Sequence, residues 1–402
     1  MGFIKELSIE GINYIDKYVC DECLEDYAIK KYIQKNVISE TCDYCGRSSS
    51  EDKPIAAPLH EVVSFILEGI KYEWDEPGNC VGWCSQDGGW IGATITDTHD
   101  LISDELDLGI RHDGLRDDII NSINIYEWCQ MDPYSLPPEE EMLSEWERFS
   151  IQVKYHTRYV FYRVTTREEN HDFDTRREPY DILNNLGEVV NELGLIKCLP
   201  VGTEFIRARG SKKRLHPTIK DIGPPSQKNA KYSNRMSPAG IPMFYGSLET
   251  TTAIAEIKDK ANKYVTTAIF KTIKPFKVLD LTRLPDFPSL FDKSRRHLRA
   301  PLIFLRDFLR DFSKSIKKDG REHTEYVPTQ IVTEYFKHIF SDEDRDIVRG
   351  IIYPSARRRR GRSCVLFFEE KDCKRDTIRR KQIHDKWLSL VASSVRTIKV
   401  AK

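Results

Sequence analysis

Four cysteines form the strongest local chemical pattern in the chain. Cys20-Asp21-Glu22-Cys23 is followed, after 18 residues, by Cys42-Asp43-Tyr44-Cys45-Gly46. Two C-x-x-C turns at this separation suit a zinc site. Each turn aims two thiolates at one ion, and together they supply four tetrahedral sulfur ligands at about 2.3 Å, with no position left for water. Such a closed site is structural, and the metal would drive folding of a segment too short to build its own core. Two disulfides or four free thiols are the alternatives, and the N-terminus offers no secretory core that would favour disulfides. The segment is acidic, so a structural or docking role is expected of it rather than nucleic-acid binding. Cys80, Cys84, Cys129, Cys198, Cys364 and Cys373 complete no second site and read as reduced thiols.

The second half holds polar residues that a plain core does not need. In Phe205-Ile206-Arg207-Ala208-Arg209, strand alternation puts Arg207 and Arg209 on one face. A loop, Asn234-Arg235-Met236-Ser237-Pro238-Ala239-Gly240, surrounds another arginine. Tyr245-Gly246-Ser247 follows as a short strand, and Thr250 to Glu256 opens a helix with Glu256 among alanines and isoleucines. Ser355 ends a strand after Tyr353-Pro354. Arginines bind phosphates, tyrosine faces stack on flat cations, and a carboxylate stabilises a cationic sugar. Each residue alone also has a plain reading: a surface arginine, an exposed helix glutamate, a turn serine.

In this order the residues resemble the RES domain, a family named for its Arg, Glu and Ser. The resemblance runs from about Leu199 to Val400. It matches Arg207, the loop with Arg235 and Gly240, the Tyr245-Gly246-Ser247 strand, Glu256, the pair Thr329-Gln330, and Ser355. Asn234 stands where that family usually has glycine, and Ser237 where it usually has asparagine. The resemblance implies an α+β domain similar to ADP-ribosyltransferases that cleaves the nicotinamide–ribose bond of NAD⁺. On that basis the catalytic residues are expected to be Glu256, Arg207, Ser355 and Tyr245, with Arg235, Arg209 and Ser247 binding substrate. Glu256 would act in the transition state. The implied activity is an NAD⁺ glycohydrolase, a toxin-like effector of defence or toxin–antitoxin systems. ADP-ribosyl transfer or phosphorolysis on the same fold are alternatives, and a non-catalytic zinc-containing nucleic-acid-binding protein is a further one. The middle region resembles the HEPN-like domain that precedes some RES domains. HEPN ribonucleases separate an Arg and a His by four to six residues; here Arg167 and His171 are separated by only three, so a scaffold or regulatory role is expected.

These residues need elements to hold them. Leu59, Val62, Val63, Ile66 and Ile70 recur at helical spacing, Glu141 to Phe161 reads as a charged, aromatic-rich helix, and a third helix is expected from Pro179 to Ile196. After Pro200 the texture changes to short strands at 204–208, 243–246, 264–272, 276–281, 347–353, 364–368 and 391–400. Helices are expected near 250–259, 301–312 and 329–340. The fold class is therefore α+β: a C-terminal ADP-ribosyltransferase-like RES domain, a mainly helical N-terminal half and a small zinc knuckle. The boundaries fall at 1–53 for the knuckle, 54–198 for the helical HEPN-like domain and 199–402 for the RES domain.

The chain has 402 residues and a net charge of -1. That balance hides 18 basic and 40 acidic residues before position 201, against 44 and 23 after it. The basic half should meet an anionic partner or substrate; the alternative is that the two halves merely neutralise each other across a domain interface. The run Arg357 to Arg360, close to Ser355, reads as a solvated loop or as a phosphate-attracting rim. The longest apolar run, Leu59 to Ile70, contains Glu61 and Glu68, which excludes a spanning helix. A cytoplasmic location is expected. The expected partners are NAD⁺, an antitoxin or regulatory protein, and a second copy of the chain; a membrane and nucleic acid are not.

Overall fold

The computed structural model describes residues 11–49, 53–106, 108–163, 180–216, 218–257, 263–314, 320–342, 344–376 and 385–399. The chain divides into two compact units, Met1–Pro138 with Asp286–Ala300, and Glu139–Pro285 with Pro301–Lys402. The boundaries expected at 53 and 198 fall inside these units. Arg167 and His171 lie outside the described residues. No described helix is long and apolar enough to cross a membrane.

The first unit is built around the helix Leu59–Ile70, formed where its periodicity predicts it. Val62, Val63, Ile66 and Ile70 are fully buried. Helix Tyr27–Lys35 starts at Asp26, whose carboxylate accepts from the backbone N–H of Ala28 and Ile29, two donors a helix start leaves free. Its Tyr32 stacks on Phe65 at 4.3 Å between ring centres. Gly69 is the close-approach point: a Cβ there would lie 2.2 Å from the ring of Phe291. Its absence lets the 286–300 segment seat Phe291 in this core. Tyr27 donates to Asp292 at 2.7 Å and Lys293 pairs with Glu68 at 2.5 Å, which fixes the same segment. The unit also carries small strands that the sequence reading did not foresee: Tyr18–Cys20 with Ala56–Pro58, Trp83–Cys84 with Gly89–Trp90, and Glu127–Gln130 between Trp74–Asp75 and Thr96–Asp97. Strands of two to four residues are too short for alternation to show.

The second unit holds one ten-stranded sheet. In chain order its strands are β1 (Ile196–Leu199), β2 (Glu204–Ser211), β3 (Phe244–Ser247), β4 (Tyr264–Thr272), β5 (Phe276–Asp280), β6 (Val348–Pro354), β7 (Arg362–Leu366), β8 (Cys373–Arg375), β9 (Leu388–Leu390) and β10 (Arg396–Lys399). The order across the sheet is β8-β9-β4-β2-β3-β7-β6-β5-β1, with β10 also pairing β4. Only the pairs β5–β6 and β8–β9 are parallel. The centre of the sheet, β2-β3-β7-β6, thus joins segments far apart in sequence. Phe205, Phe244 and Phe270 pack edge to face beneath it, and all three are fully buried.

Three helices matter for the site: α1 (Thr250–Glu256), α2 (Arg299–Phe312) and α3 (Val327–His338). The mixed α+β class stands as expected, with three corrections. The strand expected over 391–400 begins as a 3-10 turn, Ala392–Ser394, and is a strand only over Arg396–Lys399. The helix expected from Glu141 to Phe161 is an α-helix only over Pro138–Ile151. A π-helical turn, Gln152–His156, follows and ends at Thr157, whose backbone is extended. The helix expected to reach Ile196 covers Asp181–Glu192. Gly194 then takes a left-handed φ of 61°, which stops the helix and lets Ile196 open β1.

Candidate active site and cysteine cluster

A cleft of about 330 Å³ opens on the second unit, lined by residues of β2, β3, α1, β6, β7 and the loop before β3. That size falls at the lower end of ordinary small-ligand sites, roughly 300–1,000 Å³. Five expected residues line it: Arg207, Arg209, Tyr245, Ser247 and Glu256. Register explains the convergence. Ser247 on β3 pairs with Ile206 on β2 and with Ser363 on β7, and Ser363 pairs in turn with Tyr353 on β6.

Arg207 is held rigidly. Its Nε donates to the Ile222 carbonyl at 2.8 Å and its Nη1 to the Tyr245 carbonyl at 2.6 Å. The guanidinium lies over the Phe244 ring at 5.3 Å. Among the described residues no carboxylate forms an ion pair with it. Burial, and then the nearby charge of Arg209, push its pKa down to about 10. It remains a cation at neutral pH, and an anion arriving in the cleft would compensate it. Arg209 reaches the Asp221 carbonyl at 2.6 Å and so ties β2 to the following loop.

Tyr245 is oriented by Ser237, whose hydroxyl lies 2.9 Å from the phenol oxygen. Burial raises the Tyr245 pKa, so the phenol stays protonated. Ser237 is the residue standing where the RES pattern usually has asparagine. The loop around it closes on itself, with the Asn234 N–H donating to the Ser237 carbonyl at 2.8 Å. α3 braces that loop: Thr329 donates to the Arg235 carbonyl at 2.6 Å, and Gln330 donates to Ser233 at 2.8 Å and to the Asn234 carbonyl at 2.7 Å.

Glu256 ends α1 and is exposed to the cleft. Ser355 donates to its Oε1 at 2.5 Å. Ser355 itself is not a lining residue, so the cleft meets it through this carboxylate. Glu249 locks the base of α1, accepting from the Arg362 backbone N–H at 2.9 Å and from its Nε at 2.7 Å. Gly361 lets the strand come this close, because a Cβ there would lie 2.7 Å from Thr252 Oγ1.

Arg235 is not brought to the cleft. Its Nη1 and Nη2 donate to the carbonyls of Phe312 at 2.6 Å and Lys314 at 2.5 Å. A cation satisfies carbonyls that the end of α2 leaves open, and this spends the guanidinium on the scaffold. Residues 357–360 are exposed on the loop between β6 and β7 and are not among the lining residues. Among the lining residues that the sequence did not assign to the site are Tyr353, half-buried, and Ser363, 2% exposed. A serine one residue into a strand carries no local signal, and only cross-strand register reveals it.

In the first unit, Cys20, Cys23, Cys42 and Cys45 place their sulfurs within 4.8 Å of one another. The Sγ separations are 3.7 Å for Cys20–Cys23 and 3.5 Å for both Cys20–Cys45 and Cys23–Cys42. These are far too long for disulfides. Ligands at about 2.3 Å on a tetrahedron would stand ~3.8 Å apart, so the cluster fits one zinc ion after a small expansion. Cys20, Cys23 and Cys42 are buried. The Cys42 thiol is shifted strongly down by hydrogen bonds from Cys23 and from the backbone N–H groups of Cys45, Tyr44 and Cys20. Thiolate is the form that binds metal. Tyr44 donates to Asp118 at 2.7 Å and Lys17 pairs with the same carboxylate at 2.5 Å, anchoring the cluster to helix Asp113–Ser122.

Comparison with known families gives two matches. Residues 35–167 match HEPN/RES N-terminal domain 1, and residues 205–388 match the RES domain. No curated protein matches the chain. No solved structure matches it either. The second match contains Arg207, the Tyr245 strand, Glu256, Ser355 and the whole cleft. The chain is therefore a RES-domain protein, carrying that domain behind a HEPN/RES N-terminal domain.

Proposed function

We propose that the protein is a toxin-like enzyme that hydrolyses NAD⁺ to nicotinamide and ADP-ribose. One observation carries the reading: a half-buried guanidinium with no carboxylate partner among the described residues, Arg207, faces the same cleft as the carboxylate of Glu256. A cation and an anion in one cleft suit a substrate with the opposite pattern, an anionic pyrophosphate joined to a sugar that becomes cationic. Arg207 binds the pyrophosphate, with Arg209 at the rim. Tyr245 packs against the flat pyridinium ring.

The bond between ribose C1′ and the pyridinium nitrogen breaks, and its electron pair goes to the nicotinamide nitrogen. Positive charge develops on the ribose, where Glu256 stabilises it electrostatically. A water oxygen then bonds C1′ and releases one proton. Glu256 lowers the barrier mainly because its charge is already in place and need not reorganise. The four-cysteine cluster holds one structural zinc ion, and NAD⁺ is the substrate. None of the ten cysteines is paired in a disulfide, which suits a reducing compartment such as the cytoplasm.

The test is incubation of purified protein with NAD⁺ and separation of the products. Free nicotinamide with an equal amount of ADP-ribose supports hydrolysis. A phosphorylated ADP-ribose formed only in phosphate buffer would replace it by phosphorolysis, and label on macromolecules by transfer. Intact NAD⁺ under all conditions would overturn the reading.

A further inference from the structure

Two hydroxyls converge on one oxygen of Glu256. Ser355 donates to Oε1 at 2.5 Å and Ser363 donates to the same atom at 3.0 Å. The direction of the first bond is settled by its neighbours. The Ser355 oxygen already accepts from the N–H groups of Arg357 and Arg358, both at 3.2 Å, so its single proton goes to Glu256. Among the described residues no hydrogen bond reaches Oε2.

We propose that Ser363 is a positioning residue for the reaction: with Ser355 it fixes Oε1 of Glu256 and leaves Oε2 as the oxygen presented to the reacting ribose. This rests on the NAD⁺ reading above. Glu256 needs such a device. It is the last residue of a seven-residue helix, exposed, on a side chain with three free torsions. Ser363 is suited to supply it. It sits inside the sheet with β3 on one side and β6 on the other, 2% exposed, and one residue from the Glu249–Arg362 link that locks the start of α1. The two ends of α1 are thus fixed to adjacent residues of β7. Ser355 rides on the exposed β6–β7 loop, so Ser363 is the more rigid of the two donors.

The experiment compares Ser363→Ala, Ser363→Cys and Glu256→Gln with the wild type. It measures kcat and KM for NAD⁺, thermal unfolding, and the infrared carboxylate band identified by subtracting the Glu256→Gln spectrum. For Ser363→Ala, kcat should fall roughly 10–100-fold, the range a misplacement of about 1 Å produces. KM should stay within about threefold and the Glu256 band should move. Ser363→Cys keeps a weak donor and should fall between Ser363→Ala and wild type. It also carries the comparison if the alanine variant unfolds. An unchanged kcat, an unmoved band, or a KM rise equal to the kcat loss overturns the proposal. A band that moves in a protein whose wild type leaves NAD⁺ intact upholds the positioning of Glu256 and overturns the NAD⁺ reading instead.

Discussion

Glu249 and Arg362 are joined twice, once through the arginine side chain at 2.7 Å and once through its backbone N–H at 2.9 Å. This link fastens the start of α1 to β7 at the place where the strand passes beneath the helix. Burial alone would raise the Glu249 pKa, but the hydrogen bonds from Arg362 and Thr252 outweigh it and hold it below its ordinary 4.5. A carboxylate depressed in the folded state contributes stability above its unfolded pKa and loses it as pH falls through the folded value. Glu249→Ala should therefore cost about 1 kcal/mol at pH 7, discounted because the pair is about a third exposed. The difference from wild type should shrink below pH 4.5, as urea titrations at several pH values would show. A difference that does not change with pH would contradict this assignment.

Glu256 and Arg207 should separate in their kinetics. Glu256→Gln is expected to lower NAD⁺ turnover at least roughly 100-fold while binding changes little, because its interaction belongs to the transition state. Arg207→Ala should weaken NAD⁺ binding by about 1.5–3 kcal/mol, the range for a charge-assisted hydrogen bond. Calorimetry with each variant measures both. Equal loss of binding in the two variants would show that the roles are not divided this way.

Arg235 offers a contrast with Arg207. Its guanidinium serves the carbonyls of Phe312 and Lys314, so Arg235→Ala should lower the Tm by several degrees and leave the NAD⁺ dissociation constant within about threefold. A large loss of NAD⁺ affinity at unchanged Tm would restore it to the site.

The cysteine cluster should carry about one zinc per chain by elemental analysis. Chelation or Cys42→Ser should destabilise the first unit, whose core contains Cys20, Cys23 and Cys42. Loss should appear as earlier proteolysis within residues 11–49 than within the sheet of the second unit. A protein that contains no metal and is unaffected by chelator would remove the zinc assignment.

Local chemistry in the sequence reached a long way. The spacing of Cys20, Cys23, Cys42 and Cys45 announced a cluster because ligand geometry is encoded in two tight turns. The alternation of Tyr264–Thr272 and the periodicity of Leu59–Ile70 gave both elements with their observed ends, since both patterns repeat within a few residues. Arg207, Tyr245 and Glu256 were recognisable as one set through the order of their motifs, and they do share a cleft. Tertiary structure alone decided the rest. Arg235 looked like a phosphate ligand, but the end of α2, more than seventy residues later, takes its guanidinium. Ser363 fell just before the strand expected at 364–368 and was not singled out, and β7 lies between β3 and β6 only because a mostly antiparallel sheet interleaves distant segments. The 286–300 segment packs in the first unit because Gly69 leaves room for Phe291. Side-chain type and short-range spacing say what a residue can do; which partner claims its hydrogen bonds depends on contacts whose sequence separation no local pattern records.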